Sequence, residues 1–167
     1  TNLTNDHLDY HRNLKEYKFA KSLLFSKYSK KSSIAVINSD TRYSNFFHDL
    51  CLKENLKILD YGKKASFLKI DSIKKIKDSF QVKISLKNQQ STIIFNCISI
   101  YEIYNKICSL ILVFEEKISF KDFKLLKLIE NPPGRLEKIY NKKDIQVFVD
   151  YAHTPDALKN VLSALKK

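Results

Sequence analysis

A strand, a polar turn and a helix start follow one another without interruption from Ile145 to Leu158, and no other stretch restricts the fold as tightly. Ile145-Gln146-Val147-Phe148-Val149 is an apolar, strand-like run. Asp150-Tyr151-Ala152-His153 then sets an acid and a histidine in a short turn, and Thr154-Pro155 opens a helix. Threonine suits the N-cap, and proline fits the first helical position because its missing N–H would be unpaired there anyway. In an open α/β sheet, the carboxyl end of a strand feeding a helix N-terminus is where phosphate-bearing ligands bind.

Upstream, the hydrophobic period divides the chain. A spacing near 3.6 predicts a helix over 14–28, with Tyr17, Ala20, Leu24 and Tyr28 as its inward stripe and Phe25 flanking it. Lys21 falls on that stripe. A lysine there either snorkels its ammonium to water or, if buried, keeps a neutral amine for chemistry. Ile34-Ala35-Val36-Ile37 is a continuous apolar run ending in Asn38-Ser39-Asp40, the pattern of a strand covered on both faces in a parallel sheet. A helix over 42–54 and a strand over 57–61, ended by Gly62, extend that unit. Phe80, Val82, Ile84 and Leu86 then alternate with polar residues, a turn is expected over 88–91, and 92–95 returns. This predicts an antiparallel hairpin, with 67–70 as a third strand, forming a small side sheet on the parallel one. Ile100, Ile103, Tyr104, Ile107 and Ile111 give a helix over 100–115 a wide apolar face. Another helix is expected over 119–130, where Ser119 and Asp122 are spaced like a capping box. Pro132-Pro133-Gly134 is the strongest punctuation and places a domain boundary between 1–131 and 132–167.

The net charge is +12, and arginine occurs only at Arg12, Arg42 and Arg135, so lysine supplies nearly all the positive charge. The lysines scatter among Ile, Asn and Ser with no dense run. That is the pattern of solvated faces, not of a nucleic-acid footprint. Cys51, Cys97 and Cys108 have neither metal nor disulfide spacing and read as free, buried thiols of a reducing compartment. The apolar run 107–114 is too short to cross a membrane. A chain that starts at Thr1 and contains no Met reads as a piece of a longer polypeptide.

Three motifs stand in order: Asp6-His7-Leu8-Asp9-Tyr10-His11 with Ala20-Lys21 following, Pro133-Gly134-Arg135-Leu136-Glu137, and Asp150-Tyr151-Ala152-His153-Thr154-Pro155-Asp156-Ala157. Together they closely resemble the Mur ligase family, and the third motif has the form of its MurE-type branch. The resemblance implies an α/β fold. Residues 1–131 would be the later half of a P-loop-type central ATP-binding domain, with a mainly parallel sheet and a small antiparallel side sheet. Residues 132–167 would open a Rossmann-like C-terminal domain. It further implies a cytoplasmic, monomeric, ATP-dependent amide ligase. Such an enzyme adds the third amino acid, diaminopimelate or L-lysine, to UDP-N-acetylmuramoyl-L-alanyl-D-glutamate through an acyl phosphate. By the same resemblance Lys21 is carbamylated by CO₂ and, with His7, belongs to the catalytic Mg²⁺ region. Arg135, Asp150 and His153 match nucleotide-site residues, and Asn105 matches the second asparagine of an Asn-x-x-Asn signature near the adenine. On residue type alone, Arg135 reads as a hinge arginine, Asp150 as a turn-former and His7 as a loop hydrogen-bonder.

The pattern is broken in three places. Glu102 stands where the first asparagine of that signature belongs, Ser99 where a glycine usually precedes it, and Arg12 follows His11 where a small residue is common. An acid beside an adenine or phosphate is unfavourable unless turned away or paired. The family's phosphate-cradling glycine loop would lie upstream, since this chain has only Gly62 and Gly134, and the region selecting the third amino acid downstream. The chain alone is therefore expected to lack ligase activity. The other readings are a different amide ligase of the superfamily, such as the folylpolyglutamate type, a non-catalytic ligase relative, or a basic nucleic-acid-binding module.

Overall fold

The computed structural model describes residues 13–77, 79–129, 132–142 and 145–166. Helix α1 (Leu14–Leu23) starts where the Asn13 side chain accepts the Glu16 amide at 3.0 Å. It loosens into a π-helical turn at Leu24–Tyr28, and the Ser29 hydroxyl donates to the Leu24 carbonyl at 2.7 Å. A π turn holds more residues than an α turn, so side chains beyond Leu23 rotate off the 3.6-residue stripe. Tyr17 is buried as expected, but Leu24 and Tyr28 are 59% and 67% exposed. Lys21 is exposed as well.

Strand β1 (Ile34–Asn38) is followed by α2 (Ser44–Lys53) and β2 (Lys57–Gly62), which pairs with β1 in parallel from Ile34↔Lys57 to Asn38↔Tyr61. β1 is covered on both faces: Ala35 and Ile37 pack with Cys51 and Leu56, while Ile34 and Val36 lie against the main core. Next come β3 (Leu68–Ile76), β4 (Ser79–Leu86) and β5 (Gln89–Phe95), giving one five-stranded sheet in the order β1-β2-β3-β4-β5. β3 pairs in parallel with only the last two residues of β2 (Tyr61↔Leu68, Gly62↔Lys69) and antiparallel with β4 along its length. The hairpin is thus joined edge to edge with the parallel strands through β3. A bulge between Ile70 and Ser72 shifts the alternation of β3, so the sequence pattern shows only its first part although the strand runs on to Ile76. The β4–β5 turn is the two residues Lys87-Asn88, both with positive φ (49° and 62°). Its tightness follows from strand twist, which favours such a turn, so Gln89-Gln90-Ser91 already belongs to the returning strand.

Helix α3 (Ile100–Phe114) buries Ile103, Ile107, Leu110 and Ile111 in the core formed with Leu68, Ile70, Val82, Ile84 and Phe95. Each such side chain contributes about 1.5–3 kcal/mol by leaving water. Ile100, at the first helical position, is 45% exposed, so the apolar face begins at Ile103. In place of an α-helix over 119–130, a 3₁₀ helix spans Asp122–Lys127, with Phe123 and Leu126 buried at its three-residue repeat. The expected reciprocal cap survives in part, since the Asp122 carboxylate accepts the Ser119 amide at 2.8 Å. Beyond it, β6 (Glu137–Lys142) and β7 (Ile145–Val149) form an antiparallel pair that leads into α4 (Pro155–Leu165). Among the described residues, no helix is long and apolar enough to cross a membrane. Cys51 and Cys97 are buried free thiols, pushed up to about 11 and about 12 by burial, while Cys108 is half-buried.

Gly62 has φ +131°, and a Cβ there would lie 2.7 Å from Oδ2 of Asp40. Gly62→Ala is expected to cost about 2 kcal/mol or more, read as a lower urea midpoint at unchanged m.

Candidate functional site

Two carboxylates dominate the carboxyl edge of the parallel strands. The loop from Lys63 to Phe67 joins β2 to β3, and each of its five amides has an acceptor. Asp40 accepts the Lys63 and Lys64 amides at 2.7 and 3.1 Å. Asp60 accepts those of Ser66 and Phe67 at 3.0 and 2.8 Å, and Ala65 donates to the Gly62 carbonyl at 3.4 Å. The Asp60 carboxylate also takes the Ser39 and Ser66 hydroxyls, both at 3.0 Å. Burial alone would raise its pKa, but these bonds together outweigh burial and hold it below the usual carboxylate range. Asp40 reaches further, accepting the Tyr104 hydroxyl of α3 at 2.6 Å. Burial first, and then that bond, push the Tyr104 phenol up. The sequence signal for this pair was an acid near the carboxyl end of each parallel strand, Asp40 two residues beyond β1 and Asp60 within the last half of β2, which sequence inspection takes only as a polar edge.

Helix α3 accounts for two of the broken motif positions. The Ser99 hydroxyl accepts the Glu102 amide at 3.3 Å, and Oε1 of Glu102 accepts the Ser99 and Ile98 amides at 2.9 and 3.0 Å. This is a full capping box, placing a negative charge on the positive end of the helix dipole. The acid at Glu102 is therefore spent on the helix's own N-terminus. Asn105 follows on the exposed side of α3.

Lys21 stands at the rim of an open cavity of about 380 Å³ between α1, β1 and α2, whose lining includes Leu24, Phe25, Tyr28, Val36 and Phe47. Its Nζ lies 4.8 Å from the centroid of the Tyr17 ring, a cation–π contact. Burial does not supply the desolvation expected at this position, because the side chain is exposed. As an ammonium it is no ligand for Mg²⁺; only a carbamate would give it oxygen donors. His7, the other expected metal residue, lies outside the described residues. Among the described residues, no three His, Cys, Asp or Glu side chains converge to hold an ion.

The opening motif of the last strand and helix forms a compact cluster with the Gly134 turn. Asp150 Oδ2 accepts the Leu136 amide at 2.8 Å, and the Tyr151 amide donates to the Gly134 carbonyl at 2.9 Å. These bonds hold a turn in which Gly134 (φ +70°) and Leu136 (φ +47°) are both left-handed, while Glu137 accepts the Gly134 amide at 2.7 Å. The Arg135 guanidinium sits 5.4 Å from the Tyr151 ring centroid, and the His153 ring meets that ring edge-on at 4.9 Å. Nδ1 of His153 is 2.9 Å from the Tyr151 carbonyl oxygen, which can only accept, so Nδ1 carries the hydrogen of that bond. Thr154 caps α4 through the Ala157 amide at 3.2 Å, with Pro155 at the first position as expected. Arg135, Asp150 and His153 are thus brought together at a helix N-terminus, where a cation and oriented amides favour an anion. Lys21 and Asn105 stand apart, on α1 and α3.

A family model described as the Mur ligase middle domain matches residues 1–113, and one described as Mur ligase, glutamate ligase domain matches residues 134–167. The chain belongs to the Mur ligase family. Among similar proteins, the UDP-N-acetylmuramoyl-L-alanyl-D-glutamate–2,6-diaminopimelate ligase of Lawsonia intracellularis is 34% identical, over 99% of this chain and 35% of that protein. The enzyme of the same name from Fusobacterium nucleatum is 36% identical, over 99% of this chain and 33% of its own length. The Mur ligase fold recurs in the MurF ligase of Thermotoga maritima in complex with ADP. Its TM-score is 0.73 at 20% identity, covering 98% of this chain and 37% of that one. The chain spans about a third of the length of the curated relatives it matches.

Asp60 carries a testable pH signature. Its native pKa lies below the unfolded value, so its stabilisation is present above that unfolded value, about 3.9, and is lost as pH falls through the native one. Asp60→Asn should therefore lower the urea midpoint at pH 7 and differ progressively less from the parent below about pH 4.

Proposed function

We propose that this chain is part of an ATP-dependent amide ligase of the MurE type, joining diaminopimelate to UDP-N-acetylmuramoyl-L-alanyl-D-glutamate. The names of the similar Lawsonia and Fusobacterium enzymes favour diaminopimelate over L-lysine. The observation that carries the reading is the clamp between the Gly134 and Asp150 turns, which presents Arg135 beside the N-terminus of α4. In this reading a substrate carboxylate oxygen attacks the γ-phosphorus of ATP and ADP departs. The amine of the incoming amino acid then attacks the acyl carbon, and phosphate leaves with that oxygen.

Residues 1–131 would belong to the central domain and 132–167 to the C-terminal one; the ends of the two family-model matches, at 113 and 134, support a boundary there. Arg135 would fork onto phosphate oxygens. Asp150 would offer a ribose hydroxyl its Oδ1, since Oδ2 accepts the Leu136 amide. His153 would stand on the phosphate side of the same turn, and Asn105 near the adenine. A Mg²⁺ held by His7 and a carbamate on Lys21 would neutralise charge between phosphate and carboxylate. Exposure leaves the Lys21 amine open to CO₂.

In the full-length ligase, Arg135→Ala should raise KM for ATP by on the order of tenfold, with KM for the UDP-muramoyl dipeptide little changed. An unchanged KM for ATP in steady-state assays would remove Arg135 from the nucleotide site. The 167-residue chain alone, with glycine only at Gly62 and Gly134, should show no ATP-dependent amide formation; turnover by it would overturn the expectation that this chain is inactive by itself.

A further inference from the structure

We propose that Asp40 and Tyr104 are positioning residues for the nucleotide: their hydrogen bond sets the rotation of α3 and so the place at which Asn105 is presented. This rests on the reading of Asn105 as an adenine-side residue. Asp40 has little capacity left for a ligand. Its Oδ2 accepts Tyr104 Oη at 2.6 Å and the Lys63 amide at 2.7 Å, and its Oδ1 accepts the Lys64 amide at 3.1 Å. Its own amide donates to Oδ1 of Asn38 at 3.0 Å, and Gly62 packs so closely that a methyl there would collide with the carboxylate. Such a carboxylate holds other groups in place and does not reach out to a substrate.

Helix α3 needs that restraint. Ile103, Ile107, Leu110 and Ile111 seat it by apolar contact, which is non-directional and tolerates small rotations. The Ser99–Glu102 box fixes its first turn along its own axis and ties it only to neighbouring backbone. The phenol–carboxylate bond is directional and charge-assisted, and it links the second turn of α3 to a loop that is itself held by the same carboxylate. Asn105 is the next residue, roughly 100° further round the helix, so turning Tyr104 turns Asn105 with it.

The test uses the full-length ligase with Tyr104→Phe, Asp40→Asn and Asn105→Ala, measuring kcat, KM for ATP, KM for the UDP-muramoyl dipeptide, and Tm. Tyr104→Phe removes one oxygen and keeps the ring that lies 6.1 Å from Tyr61. It should raise KM for ATP about three- to tenfold, with kcat and the dipeptide KM within about twofold. Asp40→Asn should move KM for ATP the same way and lower Tm as well, because an amide offers the loop one acceptor oxygen in place of two. If Asn105→Ala raises KM for ATP while Tyr104→Phe leaves it unchanged, the positioning role is overturned and the nucleotide reading stands. A fall in Tm or kcat for Tyr104→Phe without a change in KM for ATP marks a purely structural tie and also overturns it. An unchanged KM for ATP in Asn105→Ala removes the adenine-side reading, and the positioning role with it.

Discussion

Parallel strands ordinarily need a long crossover between them, yet five residues suffice between β2 and β3. They suffice because the strands overlap by only two residues and β3 runs on past the end of β2. The cost is a tight loop whose amides have no strand partner, and a backbone amide left without an acceptor costs free energy. Asp40 and Asp60 remove that cost, each accepting two loop amides. The direction of β3, the hairpin that pairs with it and the seat of α3 all depend on those two side chains.

Charge is managed the same way at the start of α3. A glutamate near a polyphosphate would repel it through a low-dielectric gap, which made Glu102 the most troubling departure from the family pattern. The capping box turns that charge onto two amides and the positive helix end. Ser99 and Glu102 therefore act as one substitution: serine supplies the acceptor for the Glu102 amide, and glutamate returns the bond. A glycine–asparagine pair could not form the same reciprocal cap.

Period-two alternation made β4 legible, because Phe80, Val82, Ile84 and Leu86 face one core while Lys83 faces water. Period 3.6 made α3 legible for the same reason. The failures lie where the backbone leaves those periods: the π turn at Leu24–Tyr28, the bulge in β3 and the 3₁₀ turn at Asp122–Lys127. Periodicity reports which face is wet, and a change of residues per turn breaks it without a marker residue. Among the candidate residues, the turns that carry Arg135, Asp150 and His153 were legible because their neighbours dictate the geometry, with Gly134 before one and Thr154-Pro155 after the other. Lys21 lies on the stripe that faces the cavity between α1, β1 and α2, but that cavity is open, so the side chain stays exposed as a snorkelling lysine would. Asp40 and Asp60 were missed because a pattern of faces says nothing about which loop amides need an acceptor.

The two edge carboxylates also bear on where an anion can approach. An unpaired acid at the carboxyl end of parallel strands would project a field against phosphate; one surrounded by amide and hydroxyl donors has its charge compensated over a few ångströms. Asp60, held ionised by two backbone amides and two serine hydroxyls, is the stronger case. Compensation of this kind leaves the exposed cations and helix N-termini to set the local sign. At the other end of the chain, Arg135 and the first turn of α4 carry that positive character, fixed by Asp150 and Thr154 before any ligand arrives. Dipoles that are oriented in advance need not reorganise when charge develops, which is what a phosphoryl-transfer site requires of its surroundings.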